Sequence, residues 1–191
     1  IITNCNFTNN FAQVAAGAIG VYGNNTKVIG CNFVSNKVKP TSNHEAYGGA
    51  IQIGRDEYNL CSYVVNCSFI NNGAIGRNLN NSHGGAGCVR AGIIYQNCRF
   101  INNSAGQGGA LTYHASGSIE DCVFINNSAK LYGGALSTGY IDGDMELIVV
   151  NCNFEHNNAP YGGAVQLKGK NIEIHKSIFN KNIAAINGGA I

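Results

Sequence analysis

Eight cysteines, five histidines and ten carboxylates are the groups of this 191-residue chain that could do chemistry. Polysaccharide cleavage needs two carboxylates facing each other, or a carboxylate-bound cation beside a base. The acids stand at Glu45, Asp56, Glu57, Glu120, Asp121, Asp142, Asp144, Glu146, Glu155 and Glu173, and no position carries one repeatedly. Only Asp142-x-Asp144-x-Glu146 has cation-ligand spacing, and between apolar segments it reads as a solvated turn. His44, His83, His114, His156 and His175 have no nucleophile or acid at a motif spacing. The sequence therefore predicts no catalytic residues, no metal, no cofactor and no enzyme.

Six of the eight cysteines stand two residues before a phenylalanine, and this regularity leads back to the elements that must position them. Cys5, Cys31, Cys67, Cys98, Cys122 and Cys152 open Cys-x-Phe triplets, and Ser177-Ile178-Phe179 is a seventh copy. Each Phe is followed three positions later by Asn: Asn10, Asn36, Asn72, Asn103, Asn127, Asn157 and Asn182. A Gly-Gly-Ala then closes six units, with Ala16-Gly17-Ala18 in the first. Phe-to-Phe spacings of 26, 36, 31, 24, 30 and 25 mean a fixed coil with tolerated loops.

Within a unit the period is two. Cys and Phe flank a middle residue that is polar in five of seven triplets, so Cys and Phe face inward. After the glycines, Ile51 and Ile53, or Leu111 and Tyr113, alternate with Gln52 or Thr112, which predicts a second strand. Two such strands cannot bury a face alone, so units must stack in parallel. The fold class is all-β, a parallel β-helix of about seven coils spanning 1–191 as a single segment. The repeated Asn is predicted to be one corner, left-handed in backbone and laddered to its neighbours, with Gly-Gly as the opposite corner.

Composition agrees. With 26 Gly, 29 Asn, 2 Pro, no Trp and 12% charged residues, the chain cannot cover helix surfaces, while 45% apolar content excludes a disordered one. A net charge of +2 gives no footprint for nucleic acid. The longest aliphatic run, residues 147–150, is far short of a membrane span.

In this frame the six triplet cysteines form a ladder of free thiols packed as small hydrophobes. Cys88 instead occupies the outward slot of Gln52, Thr112 and Gln166, and Cys61 lies in the loop before the adjoining coil. They are a candidate disulfide. Asn24 and Asn80 are the more accessible of six Asn-x-Ser/Thr sequons.

The paired motifs, as in Phe124-Ile125-Asn126-Asn127 followed by Gly133-Gly134-Ala135-Leu136, resemble the repeats of chlamydial polymorphic membrane proteins. The Asn-rich run 151–164 is similar to adhesin-like surface proteins of methanogenic archaea. These resemblances imply a right-handed parallel β-helix, secreted and displayed on a cell surface for attachment. Departures stand at Ala16-Gly17-Ala18, Gly87-Cys88 and Ser177. Neither end carries a polar cap, so flanking coils of a longer surface protein are expected partners.

Between the corner Asn and Gly-Gly most units have five residues or fewer, but the second has eleven, 37–47, and the third eleven, 73–83. Insertions at one point of successive coils must emerge side by side. They offer Lys37, Lys39, His44, Glu45, Tyr47, Arg77, Asn78, Asn80, Asn81 and His83 as candidate binding residues, with loop 55–59 at the margin. The expected function is a cell-surface adhesin segment whose partner is a protein or glycan of another cell. A structural spacer is the alternative, and a polysaccharide-cleaving β-helix a distant third.

Overall fold

The computed structural model describes residues 1–23, 25–41, 44–54, 62–139 and 145–191. It is a parallel β-solenoid whose coils wind through four sheets of short strands. The first sheet runs from Ile2–Thr3 through Lys27–Ile29, Ser62–Val65, Ile93–Gln96, Gly117–Glu120 and Glu146–Val150 to Asn171–His175. The second holds the seven triplets, from Asn6–Thr8 to Ile178–Asn180, and the third the segments after each corner, from Phe11–Ala12 to Ile183–Asn187. The fourth follows each glycine pair and has six strands, from Ile19–Val21 to Val165–Gln166. Seven rungs are thus joined by about six turns rather than seven. The two strands anticipated per unit are four, because strands as short as the two residues of Lys37–Val38 show no alternation to read.

The inward positions form ladders. Phe33, Phe69, Phe100, Phe124 and Phe154 are fully buried. Their rings stack nearly parallel, with centroids 4.7 to 4.9 Å apart from Phe7 to Phe179, the spacing that parallel strands impose. The cysteine ladder lies beside it. Cys31 and Cys98 N–H groups reach the Sγ of Cys67 and Cys122 at 3.4 Å, and the Cys98 and Cys152 thiols donate to the Val64 and Ile119 carbonyls at 3.3 and 3.5 Å. The six triplet thiols carry no disulfide. Burial pushes the Cys98 thiol up to about 12, so it is an inert protonated group. Ser177 keeps the ladder's pattern, its Oγ accepting from Cys152 N–H at 3.2 Å.

The asparagine ladder is complete. Asn127 Nδ2 donates to Asn157 Oδ1 at 3.0 Å and to the Phe100 carbonyl at 2.9 Å, while its Oδ1 accepts from the N–H and the Nδ2 of Asn103, each at 3.0 Å. The pattern recurs at Asn36, Asn72, Asn103 and Asn157, all buried. One expectation is corrected. The left-handed backbone falls on the residue before the ladder, at Asn9, Ser35, Asn71, Asn102, Asn126, His156 and Lys181, with φ between 51° and 57°. That residue turns the corner outward, which leaves the next side chain pointing in.

The opposite corner needs two different glycines. The first, such as Gly108, has φ of 57°, and a Cβ on the second, Gly109, would lie 2.0 Å from the Gly134 carbonyl oxygen of the next coil. Gly87 has a third reason. It takes the place of Ile51 and Leu111 in register, and an added Cβ would sit 2.7 Å from the hydroxyl of buried Tyr95.

Candidate functional site

The two insertions leave and rejoin the third sheet in register. Lys37 pairs with Gly73 at the exit, and Ala46 with Ser82 and Tyr47 with His83 at the return. The next coil bridges the same points directly, Ser104 opposite Gly73 and Gln107 opposite His83. It takes three steps of chain where each insertion takes ten. The second insertion is closed by its own polar groups. Asn78 Oδ1 accepts from Asn80 N–H at 3.0 Å and caps a short 3₁₀ turn, Leu79–Asn81. Ser82 Oγ accepts from Gly76 N–H at 2.7 Å and donates to the Asn78 carbonyl at 3.2 Å. It then lies down on the following coil. Gln107 Nε2 donates to the Asn80 carbonyl at 2.8 Å, and a Cβ on Gly106 would meet the Leu79 carbonyl at 1.9 Å.

The residue before each glycine pair forms a ladder along this edge, with Tyr47, His83, Gln107, Tyr132 and Tyr161 in register. Tyr47 stacks on His83 at 5.3 Å and Tyr132 lies 5.5 Å from Tyr161. Across the fourth sheet, just past its strands, stand Arg90 and His114. Arg90 sits 4.9 Å from the Tyr47 ring, and His114 meets His83 edge-on at 5.0 Å. A Cβ on Gly139 would fall 2.0 Å from His114 Cε1, so that glycine makes room for the imidazole.

These pairs span the outer face of the fourth sheet and shelter the slot beneath them. Cys88 pairs with Gln52 and Thr112 as anticipated. The slot is nevertheless not open to solvent: Gln52, Cys88, Thr112 and Ser137 are all buried. Alternation along a strand defines two faces, but not what is folded over the outer one. Cys61 of the candidate disulfide lies outside the described residues, as do loop 55–59, Asn24, Asp142 and Asp144.

The result is a groove of about 660 Å³. Of the ten anticipated residues it gathers Glu45, Tyr47, Asn80, Asn81 and His83. Lys37 is instead a strand residue, exposed between Phe11 and Gly73, and Lys39, His44, Arg77 and Asn78 are exposed outside the lining. The groove adds four residues that the sequence reading missed: Arg90, Gln107, His114 and Tyr132. Gln107 and Tyr132 carry a legible signal, their position before Gly-Gly. Arg90 and His114 carry none.

His83 is the unusual group. It is 7% exposed, and its Nδ1 is buried without a hydrogen-bond partner. Burial first, then the charges of His114 and Arg90, push its pKa down to about 3. It is a neutral imidazole near pH 7, one nitrogen a donor and the other an acceptor. Among the described residues Glu45 is the one carboxylate lining the groove, and no cluster of three or more His, Cys, Asp or Glu could hold a metal. Glu173 pairs with His175 at 2.8 Å elsewhere on the surface.

Residues 121–139 match the family model of the Chlamydia polymorphic membrane protein repeat. That stretch holds one Cys-x-Phe, its Asn127 and one Gly-Gly-Ala-Leu. No curated protein and no solved structure matches the chain. No helix among the described residues is long and apolar enough to cross a membrane.

Proposed function

We propose that the chain is a segment of a surface-exposed adhesin-like protein in which the β-solenoid is a scaffold and the insertion-built groove is the attachment surface. One observation carries this reading: two insertions in successive coils exit and return in register, and with the pre-glycine ladder they enclose one polar and aromatic concavity. Random insertions would scatter around the coil. The polymorphic membrane protein repeat in residues 121–139 supports placement at a cell surface. Later coils, with three or four residues between corner and ladder, support a second role as spacer for the rest of the segment.

The test removes residues 39–45 and 75–81, which leaves the short link of the fourth coil at both places. Native and trimmed segments are applied to an array of glycans and cell-surface ectodomains. The native segment binds and the trimmed one does not, with an unchanged thermal midpoint. Binding retained after trimming, or none by the native segment, overturns the reading.

A further inference from the structure

We infer that the groove holds a neutral saccharide ring, stacked on Tyr132 and hydrogen-bonded by His83, Gln107 and Asn81. This rests on the reading of the groove as an attachment surface, and it names the ligand class.

Three observations lead there. First, among the described residues the lining is chemically one-sided: every side chain is an amide, a charged group, an imidazole or a tyrosine, and no aliphatic residue or phenylalanine contributes. Protein partners are anchored by apolar side chains buried in pockets at the interface core, and this groove offers them no such pocket. The apolar concavity nearby, about 200 Å³ beside Ile75 and Leu79, is separate and lies under the second insertion. A sugar ring has the complementary surface, with apolar C–H faces for an aromatic platform and a rim of hydroxyls for planar amides.

Second, His83 Nδ1 is a polar atom more than nine-tenths buried, in a residue that lines the groove, with no partner of its own. Such an atom costs free energy until it is paired. Once the ring turns that nitrogen toward the groove, a hydroxyl can pair with it in either tautomer, because a hydroxyl both donates and accepts. His83 is held neutral by its surroundings, so no fixed charge there demands an anion.

Third, the formal charges of the lining nearly balance. Among the described residues Arg90 and Glu45 supply one formal charge of each sign, and Arg90 is already seated on the Tyr47 ring. A site for a sulfated or acidic sugar would carry an excess of cations. The platform for the ring is Tyr132, half-buried on the groove wall. Tyr161 continues the ladder one rung further, outside the lining, where the next sugar of a linear chain would lie.

The test uses the whole segment against neutral hexose and N-acetylhexosamine oligosaccharides, their sulfated and sialylated counterparts, and the ectodomain array. Native protein binds at least one neutral oligosaccharide. Tyr132→Ala and Gln107→Ala each weaken that binding tenfold or more while the proteins stay folded, with only a small fall in thermal midpoint, and Tyr132→Phe, which keeps the ring, binds within threefold of native. Several results overturn the inference: binding confined to acidic glycans, neutral binding indifferent to Tyr132→Ala and Gln107→Ala, or neutral binding lost equally in Tyr132→Phe. Binding to ectodomains alone, lost on trimming the insertions, also overturns it while leaving the attachment reading intact. A native segment that binds nothing ends both.

Discussion

Three residues after each repeated Phe the solenoid places Asn seven times, whereas before each Gly-Gly it places Tyr, His, Gln, Tyr, Tyr and Asn. Both positions are ladders in register, one rung apart at every step. The inner one sees only copies of itself and the backbone, so a residue that satisfies its neighbours above and below is right everywhere. Asn does so, since its amide both donates and accepts along the stack. The outer ladder meets insertions, the far edge of the fourth sheet and solvent, which differ from rung to rung. Uniformity is therefore a mark of self-contact, and variation within a fixed register a mark of contact with something else. His83, with its unpaired nitrogen, is the sharpest case of the second kind.

Breaking the inner ladder should cost most. Phe124 lies 4.7 Å from both Phe100 and Phe154, and Phe124→Ala leaves a cavity that the rigid stack cannot close. The expected loss is about 3–5 kcal/mol, read as a fall in urea midpoint. A loss no greater than that of Tyr132→Ala would erase the contrast between inside and edge.

The edge has its own cost through pH. The folded pKa of His83 lies well below its ordinary value, driven by burial, His114 and Arg90, with Glu45 also lining the groove. The unfolded chain therefore takes up a proton that the folded one refuses. The contribution is fully present above about pH 6.5 and is lost as pH falls toward about 3, on the order of 3 kcal/mol across that window. Thermal midpoints at pH 7 and pH 4.5 should separate more for native protein than for His83→Gln. Equal separation would mean that His83 protonates freely when folded.

Asn127→Leu comes next. It strips partners from Asn103, Asn157 and the Phe100 carbonyl, at about 1–3 kcal/mol. An unchanged unfolding midpoint would show that water can replace the ladder. Least costly is Tyr132→Ala, expected at about 1 kcal/mol or less from its tilted contact with Tyr161. A larger loss would make the pre-glycine ladder a structural element like the inner one.

The parts of this fold that could be read from sequence are those dictated by self-contact. Phe, Asn and the glycine pairs recur because stacking admits few alternatives, and the paired insertions follow from their shared position in successive units. What escaped was set by contact between unlike positions. Arg90 and His114 come to Tyr47 and His83 across a strand and from the next coil, a diagonal that no period along the chain encodes. The same two contacts turned the outward slot at Cys88 into a sheltered one. Lys37 lies in a two-residue strand at the base of an insertion, too short to carry a pattern of its own.

The parallel ladders set one more property. Backbone bonds between coils, and the column of Asn amides, all run along the solenoid axis, each rung holding only the next. Tension applied between the two ends therefore loads these bonds in series, and the weakest rung yields first while the rest stay wound. A filament built this way lengthens by peeling, coil by coil, and rewinds on the template of the rung still in place. Under drag it would act as a shock absorber, paying out chain while the coils beyond the yielding rung stay wound.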